Sequence, residues 1–129
     1  IAEGCMIYGT IRRSVIFPGV IINAGTVIED SIIMSDTLIG SNSELYSTII
    51  GENSVIGSNV KSGTGEFAES AYNPKVYDSK ITVIGSNTVI PNNTVLGKNV
   101  VVDNFVTPHD FLENHIPSGG YLIKGGDKE

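Results

Sequence analysis

A 17-residue echo in the first half of the chain constrains the fold more than any other feature. Ile11-Arg12-Arg13-Ser14-Val15-Ile16 aligns with Ile28-Glu29-Asp30-Ser31-Ile32-Ile33 and with Leu45-Tyr46-Ser47-Thr48-Ile49-Ile50. Aliphatic-led hexapeptides follow each copy, placing anchors at 11, 16, 22, 28, 33, 39, 45, 50 and 56 in a 5-6-6 rhythm. A plain hexapeptide register resumes at Ile84, Ile90, Leu96 and Val102. Units this short cannot bury a face alone, so they must stack on one another.

Neighbouring positions alternate and the run is rich in Ile, Val and Thr, which is the signature of strands rather than of a helical stripe. The aliphatic first position and the small or β-branched fifth position (Thr26, Ser43, Val60, Thr88, Thr94, Val100) are expected to point inward. The fourth position is Gly or Asn at Gly19, Gly25, Asn42, Asn53, Asn59, Asn87, Asn93 and Asn99. These residue types tolerate positive φ at least cost, so each marks a corner. Three short strands then close one triangular coil, and coils stack at about 4.8 Å. In the five-residue segments we expect Ser14, Ser31 or Thr48 to replace the positive-φ residue and one edge to turn more tightly. The pattern resembles the left-handed parallel β-helix, an exception to right-handed crossovers.

The expected organisation is an all-β, hexapeptide-repeat prism over residues 1–104, with a loop insertion at 62–80 and a capping tail at 105–129. The insertion carries Gly63, Gly65 and Asn73-Pro74 and shows no period. It reads as a passive excursion or as a loop contacting another domain or subunit. In the tail, Phe105, Phe111, Leu112, Ile116, Tyr121 and Leu122 are expected to fold back over the open end of the prism, where unpaired backbone would otherwise recruit another chain.

The net charge of −6 disfavours nonspecific binding to nucleic acid or to an anionic membrane, and leaves room for a local anion site. At 129 residues the chain can bury one core. It opens on Ile1, enters the repeat almost at once and has no 18-residue apolar run, so we expect a C-terminal piece of a longer cytoplasmic protein. Cys5 stands where an aliphatic would otherwise stand and reads as a small core residue, with a reactive thiol as the alternative.

Catalytic constellations are hard to assemble. Both histidines, His109 and His115, lie in the tail, whereas a zinc site needs three or four convergent ligands. Gly63-Thr64-Gly65 and Ser118-Gly119-Gly120 lack the lysine and following helix of a phosphate loop. Arg12-Arg13 is the adjacent basic pair, and as an anion site it would give charge-assisted hydrogen bonds. The alternative is a solvated or interdomain pair, or one matched by Glu29-Asp30 one coil up.

The ordered blocks Gly4–Gly9, Ser14–Val20, Asp30–Met34, Ile81–Gly85, Ile90-Pro91 and Leu96–Asn99 resemble the C-terminal domain of bacterial glucose-1-phosphate adenylyltransferases (ADP-glucose pyrophosphorylases). Pro117-Ser118-Gly119 is similar to the end of some members. The resemblance implies an enzyme of glycogen synthesis that joins ATP and glucose 1-phosphate to give ADP-glucose and pyrophosphate with Mg2+. It places the nucleotide loop and metal-binding aspartates in an N-terminal nucleotidyltransferase domain, so no catalytic residue and no cofactor is expected in this chain. It also implies a homo-tetramer or hetero-oligomer and, in regulated members, an anion site for a sugar-phosphate effector. Arg12 and Arg13 are the candidates for an anion site as the adjacent basic pair. At two positions where regulated members tend to carry a basic residue this chain has Gly85 and Glu52, so the resemblance leaves an effector acting weakly, through other residues, or not at all. Three other readings stay open: a non-catalytic paralogous subunit, a related sugar-1-phosphate nucleotidyltransferase, or a hexapeptide acyltransferase, which the lack of a coil histidine disfavours.

Overall fold

The computed structural model describes residues 4–64, 81–111 and 115–122. Strands follow one another in a repeating cycle of three sheets. Coil 1 comprises β1 (Met6–Ile7), β2 (Thr10–Arg12) and β3 (Val15–Ile16). Coil 2 comprises β4 (Ile21–Ile22), β5 (Val27–Glu29) and β6 (Ile32–Ile33), and coil 3 β7 (Leu38–Ile39), β8 (Glu44–Tyr46) and β9 (Thr48–Ile50). Coil 4 has β10 (Val55–Ile56), β11 (Lys61–Ser62) and β12 (Thr82–Ile84), and coil 5 β13 (Val89–Ile90), β14 (Val95–Leu96) and β15 (Val101–Val102). A 3-10 turn, Pro108–Asp110, then precedes β16 (His115–Ile116) and β17 (Tyr121–Leu122).

Every strand pair is parallel, and the partners lie one coil apart. The first strand of each coil lies in sheet A, the second in sheet B and the third in sheet C. This is the three-sided parallel β-helix of about six turns that the repeat predicts, consistent with the left-handed form. No α-helix occurs among the described residues.

The aliphatic anchors fill the interior. Ile22, Ile28, Ile33, Ile39, Leu45 and Ile50 are fully buried, and Ile84, Ile90, Leu96 and Val102 continue the same stack. Each such side chain is worth roughly 1.5–3 kcal/mol in apolar transfer. The fifth-position residues are buried as well, and most of the hydroxyls in that slot join one coil to the next. Ser43 Oγ donates to Gly57 O at 3.0 Å and accepts from Val60 N at 3.1 Å. Thr26, Thr37, Ser54, Thr82 and Thr88 reach the carbonyls of Gly40, Gly51, Gly85, Gly97 and Asp103 in the same way. The polar atoms are therefore satisfied inside an apolar column, as burial demands.

Three expectations are corrected in detail. The five-residue segments keep their positive-φ residue: it is Arg13 (φ 48°), Asp30 (54°) and Ser47 (50°), one position before Ser14, Ser31 and Thr48. Those hydroxyl residues take the inward slot instead, each bonding the carbonyl two residues back at 2.8–2.9 Å. Second, Ser62 and Gly63 still belong to coil 4. Ser62 occupies an aliphatic slot, fully buried, with its hydroxyl 2.8 Å from that of Thr48. Thr64 is also described, and residues 65–80 of the expected insertion lie outside the described residues.

Third, the described part of the expected tail covers the end of the prism as further strands: Phe111, Ile116 and Leu122 pack against the core, whereas Phe105 and Tyr121 are exposed. β16 pairs with β14, and β17 with β15, so the segment ends the prism by adding strands. Val106 is fully buried, and its carbonyl accepts from Val89 N at 2.8 Å. Leu112 lies outside the described residues.

Candidate functional site

The edge between sheets B and C carries the charged residues singled out from sequence. Arg12 ends β2, and Arg13 turns the corner in the left-handed region. Glu29 is the register partner of Arg12, and Asp30 turns the corresponding corner of coil 2. Arg12 Nη1 donates to Glu29 Oε2. Arg13 grips Asp30 with two parallel bonds, Nε to Oδ1 at 2.7 Å and Nη2 to Oδ2 at 3.1 Å, and its Nη2 lies 3.6 Å from Glu29 Oε1. Such a fork is the strong form of a carboxylate contact.

The electrostatics follow from that geometry. The hydrogen bond from Arg13 holds the Asp30 carboxyl below its ordinary range, and Asp30 in turn raises the Arg13 guanidinium. Two cations face two carboxylates, so an anion approaching Arg12 and Arg13 meets a charge-balanced group. One coil on, burial first and then Glu44 and Glu29 push the Tyr46 phenol upward, and its hydroxyl lies 3.4 Å from Glu44 Oε1.

Glu52 and Gly85 are placed differently. Glu52 is exposed. At Gly85 an added Cβ would sit 2.6 Å from Asn104 N, so that corner has no room for a side chain without a backbone shift. Gly63 is tighter still, since φ is 78° and a Cβ would overlap the Tyr46 carbonyl. Lys98 Nζ donates to Gly63 O at 2.9 Å and ties down the corner from which the insertion departs.

No group of three or more His, Cys, Asp or Glu residues that could hold a metal ion occurs among the described residues. His115 is exposed on β16, and His109 lies in the 3-10 turn. Cys5 is half-buried against the core, its thiol donating to Phe17 O at 3.1 Å. The described residues thus bring together an ion-pair ladder at the corner between sheets B and C. No helix among them is long and apolar enough to cross a membrane.

The outer faces hold a feature that sequence reasoning missed. The register aligns outward Met6, Ile21, Leu38, Val55 and Val89 on sheet A. On sheet C it aligns outward Val15, Ile32, Ile49 and Val83, and continues to Val101, which is buried. Sheet B instead presents Thr10, Val27, Glu44, Lys61 and Val95. Two faces are apolar and one is charged. The signal lay in the doubled aliphatics, such as Ile21-Ile22 and Ile32-Ile33, whose first member must point outward when the second points in.

Comparison with known proteins agrees with this architecture. A GlmU-like, C-terminal hexapeptide family model matches residues 1–84. The glucose-1-phosphate adenylyltransferase of Acetivibrio thermocellus is 47% identical over all 129 residues of this chain, which cover 30% of that protein. The enzyme of the same name from Thermotoga sp. is 51% identical over 123 residues, covering 95% of this chain and 29% of the relative. That from Thermosipho africanus is 66% identical over 88 residues, covering 68% of this chain and 21% of the relative. The chain therefore spans less than a third of the length of these relatives, and the matched region is their C-terminal part. With coil, corner and register all of the hexapeptide type, the chain belongs to the GlmU-like, C-terminal hexapeptide family.

Proposed function

We propose that this chain is the C-terminal, non-catalytic prism of a cytoplasmic glucose-1-phosphate adenylyltransferase. The observation that carries the reading is similarity across the whole chain, 47% over 129 residues, to an enzyme of that name. In this reading the complete protein converts ATP and glucose 1-phosphate to ADP-glucose and pyrophosphate for glycogen synthesis. The N-terminal nucleotidyltransferase domain binds ATP and Mg2+, and the prism supplies packing surfaces.

Two apolar faces and one charged face support two separate contacts: one with the N-terminal domain, the other with a second subunit of a homo-tetramer or hetero-oligomer. Desolvating an uncharged aliphatic face costs little, whereas the sheet B face would have to strip charges of water. A sugar-phosphate effector that used Arg12 and Arg13 would have to displace Glu29 and Asp30. For that effector role, titration of fructose 1,6-bisphosphate, AMP or phosphate against the Arg12→Ala, Arg13→Ala protein is decisive. Unchanged affinity removes the pair from the site.

The test of the overall reading is ADP-glucose synthesis by the complete protein with ATP, glucose 1-phosphate and Mg2+. Product with ATP as the preferred donor supports it. A preference for another nucleotide donor points to a related sugar-1-phosphate nucleotidyltransferase, and assembly with an active enzyme but no turnover points to a non-catalytic paralogue.

A further inference from the structure

The aliphatic anchors that build the prism do not distinguish one coil from the next. Ile11, Ile28 and Leu45 occupy the same slot, as do Ile16, Ile33 and Ile50. A hydrophobic repeat of this kind specifies strand periodicity strongly and coil order weakly. The problem is sharpest at the first coil, which has a neighbour on one side among the described residues. Its interior residues Cys5, Ile7 and Ile11 are half-buried, whereas Val20, Ile22 and Ile28 in the next coil are fully buried.

Three ion pairs join these two coils. Arg12 and Arg13 meet Glu29 and Asp30 in register. A slip of one repeat would set the arginines against Tyr46 and Ser47, which carry no carboxylate. We propose that the Arg12-Arg13/Glu29-Asp30 ladder is an electrostatic latch that fixes the register of coil 1 on coil 2 and holds that coil closed. Its role is selection among similar pairings. The side chains are exposed, at 57% and 65% for the arginines, so the latch is modest in strength and sensitive to salt. The inference stands on this geometry and does not depend on the enzymatic reading.

The test is a charge-swap cycle read by native-state hydrogen exchange on the intact chain. One variant carries Arg12→Glu with Arg13→Asp, a second Glu29→Arg with Asp30→Arg, and a third all four. The reporters are the amides of Thr10 and Val15, which donate to Thr26 O and Ser31 O at 2.9 Å. Either half-swap is expected to speed their exchange by about three- to tenfold while leaving the interior amides of Val55 and Gly57 unchanged. The full swap is expected to restore wild-type protection. Exchange unaffected by the half-swaps, or no recovery in the full swap, overturns the latch. If a half-swap fails to fold, wild-type exchange in rising salt decides. Faster exchange confined to coil 1 upholds the proposal, and salt-independent exchange overturns it.

Discussion

Before the insertion, the chain crosses from sheet B to sheet C in five residues, and after it in six. Ile11 to Ile16, Ile28 to Ile33 and Leu45 to Ile50 are the short crossings, and Leu96 to Val102 is the long one. The long corner uses Asn99 at positive φ, with Val100 pointing inward. The short corners keep both roles, with Arg13, Asp30 or Ser47 at positive φ and Ser14, Ser31 or Thr48 behind it. The residue shed is therefore an outward one ahead of the turn. The interior slot is conserved because its loss would leave a hole in a close-packed column. The hydroxyl adds a second bond to a carbonyl that, at Arg12 and Glu29, also accepts from a backbone N–H of the next coil.

The comparison yields a graded set of expectations, all measurable by urea denaturation. The largest effect is at the anchors. Ile50→Ala, at a fully buried site closing a short corner, should cost about 2–5 kcal/mol. A cost below 1 kcal/mol would mean that the column collapses around the cavity. Next is the corner hydroxyl. Ser31→Ala removes the donor to Glu29 O and the acceptor for Thr48 N, and should cost about 1–3 kcal/mol.

Smaller still is backbone strain at the turn. Ser47→Asn places at φ 50° a residue that tolerates that region better, and should stabilise by a few tenths of a kcal/mol. The reverse change at the exposed six-residue corner, Asn93→Ser, should destabilise by a similar amount. If both substitutions shift stability in the same direction, positive φ is not what distinguishes these corners.

The smallest expected effect is that of acid on the ladder. Because Arg13 depresses the folded-state pKa of Asp30, the contribution of this carboxylate is present above its unfolded value of about 3.9 and is lost as pH falls through the folded value. An Asp30→Asn chain should therefore show a shallower loss of stability between neutral pH and strong acid. Identical acid profiles for the two proteins would show that the ion pair does not couple to folding.

The fold was legible where period and residue type agreed. Ile22, Ile39 and Ile56 announce the sheet A anchors, and Asn42, Asn53 and Asn59 announce corners by chemistry alone. Legibility failed where the slot and the residue type part company. Arg13 and Ser47 are poor positive-φ residues by identity, so the short corners read as if that residue had been lost. Ser62 sits in an aliphatic slot, and only its bond to Thr48 in three dimensions explains it. The last turn, with β16 and β17, was obscured because the 3-10 turn at Pro108–Asp110 stands where a sheet A strand would, lengthening the spacing from Leu96 to Ile116 beyond any regular coil.

For the candidate site, the matching of Arg12-Arg13 to Glu29-Asp30 was available as one of several sequence readings, and the geometry brings those four residues together. The apolar outer faces were not anticipated, because attention to the inward residue of each doublet hides its neighbour. Their uniformity emerges only once register stacks Ile32 on Val15 and Ile49 on Ile32.

The most direct measurement is pyrophosphate release from ATP and glucose 1-phosphate, with Mg2+, by the 129-residue chain alone and by the complete protein. A scaffold prism predicts turnover by the complete protein and none above background by the chain alone. Turnover by the isolated chain would contradict the assignment of all catalytic chemistry to residues outside it.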